Sequence, residues 1–219
     1  MSDLPHPVIA IDGTAASGKS TFARQLAQRL GYVYVNTGAM YRGVTWYMQD
    51  RNVPLTDTEA ISREIESAAI ETRLIDGELV FHIAGIDPLP HLREGRVNEG
   101  VSLVAQVVAV RRILVAEQQR LAAVAPLVME GRDIGTVVFP QTPYKFYIDA
   151  SPEVRAQRRN AQGETDVVQH RDTLDSQRKT SPLTRTSDAV FLDSGHNSVE
   201  QLVAVALGHL AARGLKIPA

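Results

Sequence analysis

The stretch "VIAIDGTAASGKST", Val8 to Thr21, constrains this chain more than any other part of it. An apolar run ends at a glycine, and a helix-like pattern begins six residues later. Between them, Gly13, Gly18, Lys19 and Ser20 match G-x-x-x-x-G-K-[ST]. The spacing has a chemical reason. The glycines allow successive backbone N–H groups to converge on one anion. Lys19 reaches the β and γ oxygens of a phosphate chain, Ser20 offers a hydroxyl to Mg²⁺, and the following helix adds its positive end. Gly13, Thr14, Ala15, Ala16, Ser17, Gly18, Lys19, Ser20 and Thr21 are therefore expected to bind the phosphates of ATP or GTP.

The rest of the chain supplies a sheet for that loop. "VIAID" reads as a buried parallel strand. Residues 19–30 place Phe22, Ala23, Leu26, Ala27 and Leu30 on one helical face, and Gly31 ends the helix. "YVYVNTG" (32–38) reads as a second strand and 39–51 as helix. "TDTE" (56–59) is read as a capping box from Thr56 to Glu59. "ETRLIDGELVFHIAG" (71–85) holds two β-rich runs joined by Asp76-Gly77, a hairpin signal. Residues 99–124 read as one long helix, bent or broken, closed by Pro126. Three strands follow, in 126–133, 144–150 and 189–194. Ser151 and Pro152 open one more helix, and Ser198 with Gln201 caps the last. The expected fold is α/β: a doubly wound, five-stranded parallel sheet core with an inserted β-rich subdomain and a helical lid. The expected division is a core of 7–61, 101–150 and 186–219, an insert of about 62–100 and a lid of about 151–185.

Composition narrows the partners. The 219 residues carry a formal net charge of −2, which leaves no bulk basic field for nucleic acid. Cysteine is absent, which excludes disulfides and a thiol nucleophile. The N-terminal stretch has no basic region of the secretory kind, and no apolar run approaches ~18 residues. The expectation is a cytoplasmic monomer that handles small-molecule nucleotides, with no nucleic acid and no membrane partner. Arginine outnumbers lysine 19 to 4. Most of that excess is read as compositional bias, so only arginines inside motifs carry meaning. The six histidines show no metal-ligand spacing.

The second substrate is written in the rim motifs. A GTPase would carry N-K-x-D, which is absent, and a motor would need more chain. A small kinase with a second, phosphorylated or hydroxyl-bearing acceptor remains. "NTGAMYR" places Thr37, Tyr41 and Arg42 after strand two, and "GRDIGT" places Arg132 and Asp133 after strand three. "RDTLDSQR" spaces Arg171, Asp175 and Arg178 for one helical face, either around a ligand or as an exposed ion-paired helix. The alternatives are a kinase of a small hydroxyl acceptor, which needs a carboxylate base, and a nucleotide-binding regulator without phosphotransfer. Several arginines around the acceptor favour a phosphorylated one.

These motifs, with "FYIDASPEVRAQRR" and "DAVFLDS", occur in the order and spacing of the bacterial cytidylate kinases, which they resemble over nearly the whole chain. That family is the CMP/dCMP kinase branch of the nucleoside monophosphate kinases. The resemblance implies transfer of the ATP γ-phosphate to CMP or dCMP, with Mg²⁺ as cofactor; a nucleoside monophosphate kinase of other or broader base specificity is the alternative. It implies that Arg42, Arg111 and Arg132 hold the monophosphate and that Thr37 and Tyr41 lie near the acceptor. Ser102 and Asp133 would contact the cytosine and sugar region. Arg171, Asp175 and Arg178 would form the set near sugar and phosphate, and Lys19, Arg132, Arg171 and Arg178 would act in catalysis. Arg155, Arg158 and Arg159 fall where the family has its ATP-covering lid, with Arg158 and Arg159 on ATP, and Arg93 falls in the insert near the acceptor. Two positions depart from the family pattern. Asn36-Thr37 stands where Asp-Ser is usual, and Glu130 where Asp is usual, a group able to help hold Mg²⁺ through water.

Overall fold

The computed structural model of the chain describes residues 4–75, 77–161, 173, 175, 178 and 181–218. It divides into two compact units, Met1–Val35 with Ala122–Ala219, and Asn36–Leu121.

The first unit is built on β1 (Val8–Gly13), all six residues of which are buried. It pairs in parallel with β5 (Leu127–Gly131) on one side and β6 (Lys145–Asp149) on the other. β6 pairs in parallel with β7 (Val190–Asp193), and β2 (Val33–Asn36) completes the order β2-β5-β1-β6-β7. Burial on both faces explains why the central strands read as apolar runs rather than alternating ones. The chain leaves β1 on one side and crosses back over it between β5 and β6, so the carboxyl end of β1 is the switch point of the sheet. The phosphate-loop motif begins there.

α1 (Lys19–Leu30) buries Phe22, Ala23, Leu26, Ala27 and Leu30, and Gly31 ends it in a left-handed turn whose N–H reaches the carbonyls of Ala27 and Gln28. Phe22 meets Phe146 edge-on at 6.2 Å. α6 (Pro152–Ala161) starts with Pro152 at its first position. α7 (Val199–Ala212) has the expected reciprocal cap between Ser198 and Gln201 and buries Leu202, Val203, Ala206 and Leu210. Those residues and the β1, β6 and β7 side chains form one apolar core.

The second unit has its own core, centred on Met40, Val44, Met48, Ile61, Ile65, Val97, Val104, Val110 and Leu114. It contains α2 (Thr37–Asp50), α3 (Thr58–Ser67) and the antiparallel pair β3 (Ile70–Ile75) and β4 (Glu78–Ile83). Gly77 occupies the left-handed region that the Asp-Gly signal requires.

One expectation changes here. α3 is capped by Asp57, whose carboxylate accepts from the N–H groups of Glu59 and Ala60, and not by Thr56. Asp57 stands two and three residues before those N–H groups, the reach of an N-cap side chain, so the helix starts one residue later than the Thr56–Glu59 pattern requires. The 99–124 stretch is broken, as its pattern allowed, at residues 105–107 into two helices, α4 (Gly95–Val104) and α5 (Val108–Leu121). The break matters because it leaves the Ala105 carbonyl to accept from the buried Arg111 guanidinium at 3.3 Å.

Phe22 has almost no exposed surface. Phe22→Ala is expected to remove about 3–5 kcal/mol of stability, read as a lowered urea midpoint with the α1 cap intact.

Candidate active site

The first unit gathers the donor residues at the end of β1. A Cβ on Gly13 would stand 2.0 Å from the Ile148 carbonyl oxygen of β6, so only glycine fits between these strands. Ala16 and Gly18 lie in the left-handed region, at φ 59° and 81°. Such turns point neighbouring N–H groups to the same side. The loop is tied down from outside. Thr14 Oγ1 donates to Asp149 at 2.5 Å, and the Lys19 ammonium, largely buried, donates to the Thr14 carbonyl at 2.9 Å. Ser20 and Thr21 are exposed in the first turn of α1.

Asp12 holds the neighbouring rim. It is buried at the end of β1, and its two oxygens accept the N–H groups of Ile134 and Gly135 at 2.7 and 2.8 Å. Those residues open the wide π-type turn Ile134–Val138 that follows Arg132 and Asp133. Burial pushes the Asp12 carboxyl up from 3.8 to about 6, against the two N–H bonds, which favour its charged form. The sequence reading passed over Asp12 as the end of a strand. A lone carboxylate in a wholly buried apolar strand was the available signal, because such a group demands partners.

Arg132 donates through Nε to Asp175 at 2.7 Å, and Arg178 donates to the other Asp175 oxygen. Asp175 and Arg178 are both buried. Asp175 and Arg178 are therefore not part of a solvated helix face. Asp175 is helical and Arg178 is not; Arg171 lies outside the described residues. Arg155, on α6, is buried and donates to the carbonyls of Ala150 and Ala15. Arg158 donates to Ser194, and Arg159 is buried.

The second unit carries the other predicted acceptor residues. Asn36 caps α2 by accepting the Ala39 N–H at 3.0 Å. An aspartate would do the same job, so the departure at this position changes charge but preserves the cap. A Cβ on Gly38 would come within 3.3 Å of both Asn36 Oδ1 and Arg42 Nη1, so glycine here lets the Arg42 side chain fold close over the turn. Thr37 and Tyr41 are buried on α2. Arg111 lies 5.7 Å from the centre of the Tyr41 ring, a cation–π contact. Ser102 is buried on α4, and Arg93 is exposed.

Mg²⁺ needs few protein ligands beside a phosphate chain, since it keeps several waters. The exposed Ser20 hydroxyl suits that role. Glu130, buried at the end of β5 and bonded by the Tyr34 hydroxyl at 2.6 Å, suits contact through water. Among the described residues no cluster of three or more acidic, histidine or cysteine side chains stands ready as a cage. None of their helices is long and apolar enough to cross a membrane.

A phosphate-loop motif at the switch point of a parallel sheet, with Arg132 after β5 paired to the buried Asp175, is the arrangement expected of a P-loop kinase. The sequence model of one such family, cytidylate kinase, matches residues 9–211. The cytidylate kinase of Caldanaerobacter subterraneus subsp. tengcongensis is 42% identical over 206 residues, covering 89% of this chain and 90% of that protein. That of Geobacillus sp. is 40% identical over 207 residues, covering 89% and 92%. In Synechococcus sp. a bifunctional pantoate ligase/cytidylate kinase is 40% identical over 90% of this chain, which matches 42% of that longer protein. The chain belongs to the cytidylate kinase family.

The Asp12 carboxyl makes stability depend on pH in a defined sense. Its folded pKa is raised, so the bound proton stabilises the fold fully below 3.8, and that contribution is lost as pH rises through about 6. Relative to Asp12→Asn, the parent is expected to lose on the order of 3 kcal/mol between those limits. Parallel denaturant titrations at pH 4 and pH 7 measure it; equal differences at both would refute it.

Proposed function

We propose that this chain transfers the γ-phosphate of ATP to CMP or dCMP, giving ADP and CDP or dCDP. One observation supports the reading above the others: the match to the cytidylate kinase family runs across both the phosphate loop and the acceptor motifs. The acceptor oxygen is already ionised at neutral pH, so the reaction requires alignment and charge neutralisation and no strong general base.

ATP is read onto Gly13–Thr21. The loop N–H groups take the β-phosphate, and Lys19 moves from the Thr14 carbonyl to the β and γ oxygens, where it balances charge developing in transfer. Mg²⁺ would be held by Ser20, with Glu130 acting through water; when bound it neutralises phosphate charge. Arg42, Arg111 and Arg132 are assigned to the monophosphate, with Thr37, Tyr41, Ser102 and Asp133 around the acceptor. Asp175 is assigned to the sugar hydroxyls. In the structure its oxygens are taken by Arg132 and Arg178, so binding would exchange one of these pairs for a nucleotide hydroxyl. Arg171 and Arg178 are assigned to charge near the transferred group. Residues 151–185 would close over the donor and exclude water, which otherwise hydrolyses ATP. A cytoplasmic setting and a role in pyrimidine nucleotide supply follow from this reading.

Lys19→Ala is expected to lower kcat by on the order of a hundredfold or more. Arg42→Ala is expected to raise KM for the acceptor while the constants for ATP stay put; movement of the ATP constants instead would remove Arg42 from the acceptor site.

Base choice is tested directly by turnover of CMP, dCMP, UMP, AMP and GMP with ATP and Mg²⁺. CMP and dCMP should lead the series. Equal or faster turnover of AMP or GMP would replace the cytidylate reading with a general monophosphate kinase.

A further inference from the structure

A loop whose N–H groups converge on an anion must turn its carbonyls the other way. Each outward carbonyl then needs a donor, or the loop relaxes when the anion leaves. In this chain two of those carbonyls have donors from distant parts of the sequence. Ala15 receives Arg155 Nη1 at 3.3 Å. Ser17 receives the Ser194 hydroxyl at 2.6 Å. Ser194 follows β7, is 7% exposed, and is reached by no motif assigned to ATP. The same hydroxyl lies 3.2 Å from the Asp149 carbonyl, and its own backbone N–H donates there at 2.9 Å, which locks Ser194 to the end of β6.

Arg158 completes the connection. Its Nη1 donates to Ser194 Oγ at 3.1 Å and its Nη2 to the Ser194 carbonyl at 2.6 Å. The serine oxygen therefore accepts from a cation while its own proton is directed at Ser17. That arrangement removes the freedom of the hydroxyl to rotate away, and accepting from a cation makes it a stronger donor. Arg158 also passes 3.5 Å from the point where a Cβ would stand on Gly18. Ser17 itself is wholly buried, with its Oγ unpartnered, so the Ser17 side chain does not anchor the loop.

We propose that Ser194 is a positioning residue for the phosphate loop, and that Arg158 acts on bound nucleotide through Ser194. This deepens the assignment of Gly13–Thr21 to ATP and rests on that reading. It ties the order of the loop to β7 and α6. Through residues 152–161, loop geometry is coupled to the start of the segment proposed to close over the donor.

The test is nucleotide binding and kinetics in the full chain. Ser194→Ala should weaken ADP binding, measured by calorimetry, and raise KM for ATP, each by about tenfold. KM for CMP should stay within twofold, and adenosine, which lacks the phosphates, should bind as weakly to the variant as to the parent. Ser194→Thr, which keeps the hydroxyl, should recover most of the loss. Arg158→Gln should lose ADP affinity in the parent but no further affinity in the Ser194→Ala background. Unchanged ADP binding in Ser194→Ala would overturn the proposal, as would equal rises in KM for both substrates. Additive losses in the double variant would overturn the route through the Ser194 hydroxyl. A parent that binds ADP but does not phosphorylate CMP would count against the proposed reaction and leave this inference standing.

Discussion

The constraint on which the rest depends is the contact between Gly13 and the Ile148 carbonyl. β1 is buried on both faces and flanked by β5 and β6, so its last residue has no lateral space. A Cβ there would overlap the neighbouring backbone. Only a glycine lets the parallel register continue to that point and the chain then leave the sheet in a tight loop. Everything read as donor chemistry starts from that exit. The turn places Ala16 and Gly18 in left-handed geometry, brings Lys19 into the first turn of α1, and sets the direction in which the loop N–H groups point.

Around that exit the first unit holds three carboxylates, Asp12 and Asp175 buried and Asp149 half-buried, and gives each a different solution. Asp12 takes two backbone N–H groups and so holds the turn after Asp133. Asp149 takes the Thr14 hydroxyl and lies 3.6 Å from Arg155. Asp175 takes two arginines. Burying a carboxylate without partners is costly, so each of these links fixes one loop to another at the same end of the sheet.

Much of the fold was legible in the chain. α1 announced itself through apolar spacing and a terminal glycine, and α7 through its Ser198–Gln201 cap; α1 buries the residues the spacing selects. The β3–β4 hairpin followed from alternation around Asp-Gly. The one misreading came from short-range competition. Thr56 and Asp57 both precede the α3 pattern, and only local geometry chose the carboxylate. The break expected in the 99–124 run falls where the Ala105 carbonyl meets Arg111. The arginines of α6 match a family pattern on ATP, and the structure adds partners for Arg155 in the loop carbonyl of Ala15 and for Arg158 in Ser194.

What the sequence determined by itself is the identity of the phosphate loop, the strands and helices that carry it, and the motifs assigned to the acceptor. Those are local: they depend on residue type at fixed spacing, and backbone sterics or helical period enforce them wherever they occur. Only the tertiary structure decided which polar groups meet. Thr14 and Asp149, Arg132 and Asp175, and Ser17 and Ser194 are 135, 43 and 177 residues apart. No periodicity spans such separations. The pairs form because the parallel sheet ends its strands on one edge, and because polar groups buried there must find one another.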